Sequence, residues 1–117
     1  MPRILVVEDE KLLAAIITDA LAGSYEVLCA HNVEDAVELL LSAAIDLVLL
    51  DCVLPGGTMW QVALEADRQD IPLVLMTGDP EHRKDLVGGA RPFLLKPFSI
   101  AALTDIVETS CGSAVKD

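Results

Sequence analysis

The chain has 117 residues, a formal net charge of −11 and 53% apolar residues, with only one Trp, one Tyr and two Phe. A chain of this length is expected to form one domain with its own core. Its eight Lys and Arg are outnumbered by 19 Asp and Glu, so it lacks the cations with which proteins bind nucleic-acid backbones. This balance argues against direct nucleic-acid binding.

The sequence also lacks the features of secreted and membrane proteins. The N-terminus has no basic-then-apolar secretory signal, and no apolar run reaches the roughly 18 residues that a membrane span requires. The three cysteines, Cys29, Cys52 and Cys111, show no CxxC spacing, which favours a reducing compartment over a disulfide framework. We therefore expect a soluble, cytoplasmic protein without a membrane partner.

Short apolar runs alternate with stretches of helical period along the chain. The low aromatic content indicates a core of Leu, Val, Ile and Ala, which is typical of parallel sheets buried on both faces. We predict strands over residues 4–7, 26–30, 47–50, 73–76 and 93–95. Strands that alternate with helices indicate right-handed crossovers, and hence an α/β fold. Its five-stranded parallel sheet would be doubly wound, as (βα)5, within a three-layer α/β/α sandwich.

Apolar residues at spacings of three and four predict amphipathic helices between and after these strands. A shorter helix is predicted over residues 80–87. Asn32, Asp79–Pro80 and Ser99 mark helix starts, and Trp60 is expected to be an apolar anchor of the third helix. The predicted buried positions are Leu13, Ile16, Ile17, Ala20, Leu21, Val33, Ala36, Val37, Leu40, Leu41, Met59, Val62, Ala63, Ala66, Ile100, Leu103, Ile106 and Val107.

Polar residues stand where the apolar strands end. Glu8 and Asp9 follow the first strand, Asp51 the third, Thr77 the fourth and Lys96 the fifth. A carboxylate at the end of a buried strand is costly to desolvate, which points to a chemical role. The carboxyl ends of parallel strands meet at one edge of a sheet, where such folds bind ligands. We therefore expect these five side chains to form one site.

The residue types at this edge suit phosphoryl transfer to a carboxylate. Glu8, Asp9 and Asp51 would raise one another's pKa unless a cation intervened. Mg²⁺ prefers oxygen ligands and readily adds phosphate oxygens. Lys96 supplies a compact positive charge and Thr77 a hydroxyl donor, both suited to a phosphoryl oxygen. The metal and Lys96 would together offset the charge on the transferring oxygens.

Four segments in this order resemble the receiver domain of two-component response regulators, over almost the whole chain. They are Glu8–Asp9 and residues 49–56 (LLDCVLPG), 76–78 (MTG) and 93–98 (FLLKPF). The resemblance implies a flavodoxin-like fold in which Asp51 accepts phosphate from a phosphohistidine of a histidine kinase or phosphotransfer protein. It also implies that Glu8, Asp9, Asp51 and the Val53 carbonyl hold Mg²⁺.

The resemblance further implies that Thr77 and Lys96 bind the phosphoryl oxygens, and that the Lys96–Pro97 peptide is cis. Thr77 and Phe93 would form a switch that changes the contacts with a downstream protein. An ordinary core position for Phe93 is an equally good hypothesis. Met59 departs from the family pattern, which usually has Gly at this position. The implied function is a phosphoacceptor signalling domain rather than an enzyme, with weak self-phosphorylation from small donors and self-dephosphorylation.

Three other functions compete with this interpretation. An aspartate-nucleophile phosphohydrolase typically has a second Asp two residues after the nucleophile, where this chain has Val53. An FMN carrier of the same fold needs phosphate donors where this chain has the acidic Glu8 and Asp9. A receiver-like binding module that is never phosphorylated is disfavoured by the complete set of acceptor residues.

The whole chain, residues 1–117, is expected to be one receiver domain, with a tail that frays from about residue 112. The leading interpretation is a single-domain receiver, and a domain excised from a longer regulator or kinase is the alternative that the sequence leaves open. His31 and His82 lie far apart without metal-ligand spacing, and we expect both at the surface.

Overall fold

The computed structural model describes residues 1–78 and 91–115. In this part of the chain the strands are β1 (Arg3–Val7), β2 (Glu26–Ala30), β3 (Leu47–Asp51), β4 (Leu73–Thr77) and β5 (Phe93–Leu95). The helices are α1 (Lys11–Leu21), α2 (Val33–Ser42), α3 (Met59–Arg68) and α4 (Ile100–Val115). The helix predicted over residues 80–87, its start at Asp79–Pro80, and His82 lie outside the described residues. Helix α4 continues past residue 112, where we expected the tail to begin.

All five strands are parallel, in the order β2-β1-β3-β4-β5. The chain therefore builds the sheet outwards from β1 in both directions, which confirms the predicted doubly wound α/β fold. Helices α2 and α3 pack against each other on one face, and α1 and α4 on the other. The result is the expected three-layer sandwich. None of the described helices is long and apolar enough to span a bilayer.

The core is divided by the sheet into two apolar layers. Along β3, Val48 and Leu50 pack in the layer that α2 and α3 cover, whereas Leu47 and Leu49 pack in the layer that α1 and α4 cover. Every residue of β3 and β4 is buried. Because successive side chains of a strand point to opposite faces, a strand covered on both sides buries all its side chains and is therefore mostly apolar. This requirement explains the continuous apolar runs in the sequence.

Strands β3 and β4 are each one residue longer than predicted, and they contain Asp51 and Thr77. Asp51 lies opposite Met76 in the β3–β4 register, and the next amide, that of Cys52, donates to the Met76 carbonyl at 3.0 Å. The Thr77 carbonyl accepts from the Lys96 amide at 2.7 Å. Since both residues are held by the backbone ladder, their side chains project from rigid elements.

The buried faces of the helices agree with the predicted stripes except at their edges. In α3 the buried residues are the four predicted ones, Met59, Val62, Ala63 and Ala66. Trp60 is 49% exposed, so its predicted role as an anchor is wrong. Successive residues of an α-helix are turned by about 100°, and Trp60 therefore faces away from Met59. Ile16, Leu41 and Ile100, also predicted as buried, are exposed.

Two predicted helix starts are confirmed by their hydrogen bonds. The Asn32 side chain accepts from the amide of Asp35 at 2.8 Å at the beginning of α2, and the Ser99 hydroxyl accepts from the amide of Ala102 at 3.0 Å at the beginning of α4. Each bond satisfies an amide that has no partner within its helix.

We expect Asn32→Ala to lower the free energy of unfolding by about 1 kcal/mol, because the first turn of α2 loses its cap. Urea unfolding monitored by circular dichroism measures the change. The matched control is Asn32→Ser, which keeps a capping oxygen and should remain close to the wild type. An equal loss in both variants would show that the cap does not stabilise α2.

Candidate functional site

The carboxyl edge of the sheet forms a cleft of about 390 Å³. It lies where β1, β3, β4 and β5 end, which is the edge at which the sequence predicted a site. Five side chains were predicted to form one site at this edge, and four of them line the cleft: Glu8, Asp9, Asp51 and Lys96. The cleft is lined by Glu8, Asp9, Glu10, Leu13, Asp51, Val53, Gly78 and Lys96.

Three carboxylates form the acidic part of the cleft. Glu8, Asp9 and Asp51 each offer an oxygen, and these oxygens lie within 4.8 Å of one another. Glu8 is 1% and Asp51 6% exposed, whereas Asp9 is exposed. The proximity follows from the sheet register, because Val7 lies opposite Leu50, which brings the next residues, Glu8 and Asp51, to neighbouring positions at the carboxyl edge.

Lys96 places its ammonium group between the two buried carboxylates. Its Nζ lies 2.8 Å from Oε1 of Glu8 and 3.3 Å from Oδ1 of Asp51. Burial alone would lower the pKa of Lys96, but the hydrogen bond to Glu8 and the charge of Asp51 outweigh it and raise this pKa above its ordinary value. Lys96 is therefore charged at neutral pH. The Lys96–Pro97 peptide that follows is cis, as expected.

Asp51 is held in an environment that disfavours its charged form. Burial, followed by the negative charge of Glu8, raises the pKa of Asp51 from 3.8 to about 6. The ammonium of Lys96 opposes this shift, and so does the Val53 amide, which donates to Oδ1 of Asp51 at 3.3 Å. The opposing groups offset the cost of burial only in part.

The cluster fits a hard divalent cation. Three carboxylates share the cleft with one ammonium group, so negative charge remains in excess when all three are ionised. Closely spaced oxygen ligands with excess negative charge are what Mg²⁺ prefers, and the exposed side of Asp9 leaves room for its waters. Val53 lines the same cleft, next to these carboxylates.

Neither of the two residues predicted as a switch lines the cleft. Thr77 is 4% exposed at the end of β4, and the residue after it, Gly78, lines the cleft. Phe93 begins β5, lies opposite Leu75, and packs half-buried against the apolar layer beneath α2 and α3. The structure thus places Thr77 next to the cleft and Phe93 in the adjoining core.

Two neighbours of the site were not predicted from the sequence. The amide of Glu10 donates to Oε2 of Glu8 at 3.1 Å, which closes the loop that carries Asp9. His31, expected at the surface, is partly buried with Nδ1 2.9 Å from the Glu8 carbonyl. The signal for His31 was its position directly after β2, the strand paired with β1.

Cys52 follows Asp51, and its thiol is poorly suited to act as a nucleophile. Burial, followed by the charge of Asp51, raises the pKa of the Cys52 thiol to about 11. The thiolate is the nucleophilic form of cysteine. At neutral pH Cys52 is therefore protonated and unreactive.

Comparison with known proteins identifies close structural relatives. A family model described as the response regulator receiver domain matches residues 4–108. The response regulator protein TrrA from Thermotoga maritima, solved in complex with Mg²⁺-BeF, is 32% identical, with a TM-score of 0.84 and coverage of 94% of this chain and 99% of that chain. The receiver domain of a sensor histidine kinase from Pseudomonas aeruginosa, with a magnesium ion coordinated in the active site cleft, is 25% identical, with a TM-score of 0.84 and coverage of 95% and 98%.

A third solved structure supports the fold alone. It is a response regulator receiver domain protein from Methanospirillum hungatei, 21% identical, with a TM-score of 0.87 over 99% of this chain and 98% of that chain.

The raised pKa of Asp51 predicts that this residue destabilises the metal-free protein at neutral pH. A carboxyl group with a higher pKa in the folded state binds more protons when folded, so its favourable contribution is complete below pH 3.8 and is lost as the pH rises through about 6. In EDTA, we expect Asp51→Asn to raise the free energy of unfolding by on the order of 2 kcal/mol at about pH 7.5 and by much less at about pH 4.5.

Urea unfolding at the two pH values measures this difference. Asp105→Asn removes one charge from an exposed position of α4 and controls for the general reduction in net charge. A gain from Asp51→Asn that equals the gain from Asp105→Asn, or that does not change with pH, would contradict the prediction.

Proposed function

The chain belongs to the response regulator receiver domain family of two-component systems, and on this premise we propose that Asp51 accepts a phosphoryl group with the help of Mg²⁺. The observation that carries the proposal is the buried Asp51 carboxylate within reach of both the acidic pair and the Lys96 ammonium. We propose further that residues 1–117 form one receiver domain, which signals through altered contacts with other proteins.

Glu8, Asp9 and Asp51 would hold the metal through their carboxylates, and Val53 through its carbonyl. The three carboxylates lie close enough to share one ion, and Val53 lines the same cleft. When bound, Mg²⁺ supplies positive charge that offsets the negative charge of the cluster and of the phosphoryl oxygens.

The residues of the chain prepare Asp51 for attack on phosphorus. The Val53 amide and the Lys96 ammonium both contact Oδ1 of Asp51, and these contacts orient the carboxylate. A carboxylate oxygen forms the new bond to phosphorus while the bond from phosphorus to the donor's imidazole nitrogen breaks, so that the electron pair of that bond returns to the imidazole. Lys96 is placed to offset the charge of the transferring oxygens.

We infer that Thr77 and Phe93 transmit the phosphorylation of Asp51 to the surface that a downstream protein binds. Thr77 ends β4, the strand next to β3, and we propose that its hydroxyl binds a phosphoryl oxygen on Asp51. Phe93 is only partly buried and packs against the apolar layer beneath α2 and α3, so a rotation of its ring would alter both that layer and the surface beside β5. A movement of Thr77 towards the phosphoryl group would change the space beside β5 and so the surface offered to a partner.

The proposed partners are a histidine kinase or phosphotransfer protein that donates the phosphoryl group, and a downstream protein that binds the phosphorylated form. The net charge of −11 opposes direct contact with nucleic acid. We propose a cytoplasmic location and no membrane partner, in keeping with the acidic surface and the reduced cysteines.

The proposal predicts that Asp51 is the single phosphoryl acceptor. Intact-mass measurement after incubation with acetyl phosphate and Mg²⁺ should show one phosphoryl adduct, which disappears in EDTA or in Asp51→Asn. Asp105 is an exposed residue of α4 that does not line the cleft, and Asp105→Asn should be phosphorylated like the wild type. An adduct that persists in Asp51→Asn would refute the assignment.

The side chain of Val53 predicts slow self-dephosphorylation. Hydrolysis of an aspartyl phosphate requires a water held in line with phosphorus, which a nearby amide or carboxylate can position. Val53 stands two residues after Asp51, lines the cleft and is 67% exposed, but its side chain has no polar group. Val53→Asn should therefore shorten the half-life of phospho-Asp51 by roughly tenfold.

The decay of phospho-Asp51 after removal of the donor measures this effect. Val53→Ala is the matched control, because it reduces the side chain without adding a polar group, and its half-life should stay near that of the wild type. Equal half-lives for Val53→Asn and Val53→Ala would show that residue 53 does not position the water.

A further inference from the structure

The turn between β2 and α2, residues 30–33, is adjacent to the acidic pair Glu8–Asp9. Ala30 is opposite Val7 in the β1–β2 register, so His31 and Glu8 leave the sheet side by side. The Glu8 amide donates to the Ala30 carbonyl at 3.0 Å. Among the described residues that line the cleft, this turn contributes none.

His31 contacts the backbone of the acidic pair rather than its carboxylates. Its Nδ1 lies 2.9 Å from the Glu8 carbonyl oxygen. A carbonyl oxygen can only accept a hydrogen bond, so Nδ1 carries the proton and donates. Because the peptide group is planar, this bond fixes the plane of the peptide that joins Glu8 to Asp9.

This contact matters most for Asp9. Glu8 and Asp51 are buried, so surrounding atoms restrict their side chains, whereas Asp9 is exposed and depends on its backbone for its direction. Its preceding peptide is held by His31 at the Glu8 carbonyl. Its following amide, that of Glu10, is held by Oε2 of Glu8 at 3.1 Å. The backbone of Asp9 is therefore fixed on both sides.

We propose that His31 is a positioning residue for the cation site, which acts by holding the Glu8–Asp9 peptide so that the Asp9 carboxylate is directed towards Asp51. The inference rests on the proposed Mg²⁺ site. His31 is not proposed as a ligand, because it neither lines the cleft nor belongs to the group of side chains whose oxygens lie together there. Its loss should weaken metal binding while leaving the ligands in place.

The test compares Mg²⁺ affinity, measured by isothermal titration calorimetry, in the wild type and two variants. His31→Leu keeps a side chain of similar bulk without a donor, and should raise the Kd about three- to tenfold, as expected for one lost hydrogen bond. In His31→Asn the side-chain amide falls near the position of Nδ1, so this variant should recover most of the wild-type affinity.

A second measurement separates positioning from general destabilisation. At saturating Mg²⁺, His31→Leu should be phosphorylated by acetyl phosphate at nearly the wild-type rate, because excess metal compensates for weaker binding. Asn32→Ala removes the neighbouring cap without touching the Glu8 carbonyl. It should lower the melting temperature and leave the Kd unchanged.

Equal Mg²⁺ affinity in the wild type and His31→Leu would overturn this inference alone, as would an Asn variant that binds as weakly as the Leu variant. Absence of Mg²⁺ binding by the wild type would overturn the proposed function, and this inference with it. Should His31→Leu not fold, His31→Ala replaces it, with the same expected increase in Kd and the same criteria.

Discussion

The contact of one ammonium group with two buried carboxylates is the interaction on which the site depends. Lys96 follows β5, an edge strand that is two places away from β3 and three from β1. Its Nζ nevertheless reaches Glu8 after β1 and Asp51 at the end of β3. Without this charge both carboxylates would be buried and unpaired, which is among the most destabilising arrangements in a protein. The two ion pairs of Lys96 therefore connect the carboxyl ends of β1 and β3 to that of β5, across β4.

The apolar sheet makes this arrangement possible. Strands β3 and β4 are buried along their whole length, and the two apolar layers stabilise the strands that carry Asp51 and Thr77. The same burial raises the pKa of Asp51 to about 6, so the core that positions the carboxylate also disfavours its charge. A bound cation would remove the unfavourable free energy of the buried negative charge, and this free energy difference favours cation binding.

The loops that carry the proposed ligands are joined through the turn between β2 and α2. His31 holds the Glu8 carbonyl, and the Val33 amide donates to the Pro55 carbonyl at 3.1 Å. Gly56 and Gly57 adopt φ angles of 85° and 141°, which allow the chain to turn there before α3. Met59, where the family pattern usually has Gly, begins α3 as a buried residue.

The sequence by itself determined the order of strands and helices, the parallel sheet and the polar residues at its edge. The spacing of apolar residues identifies each strand and helix from its own segment of sequence. In a parallel sheet all the carboxyl ends of the strands lie at one edge, so the residues that end the strands are brought to that edge. Tertiary structure decided which apolar helix positions are buried, as the exposed Trp60 and Ile16 show. The width of the buried face of a helix depends on the element packed against it, which the sequence of the helix does not specify. It also decided the role of His31, whose partner Glu8 lies 23 residues away and is brought to it by the register of two strands.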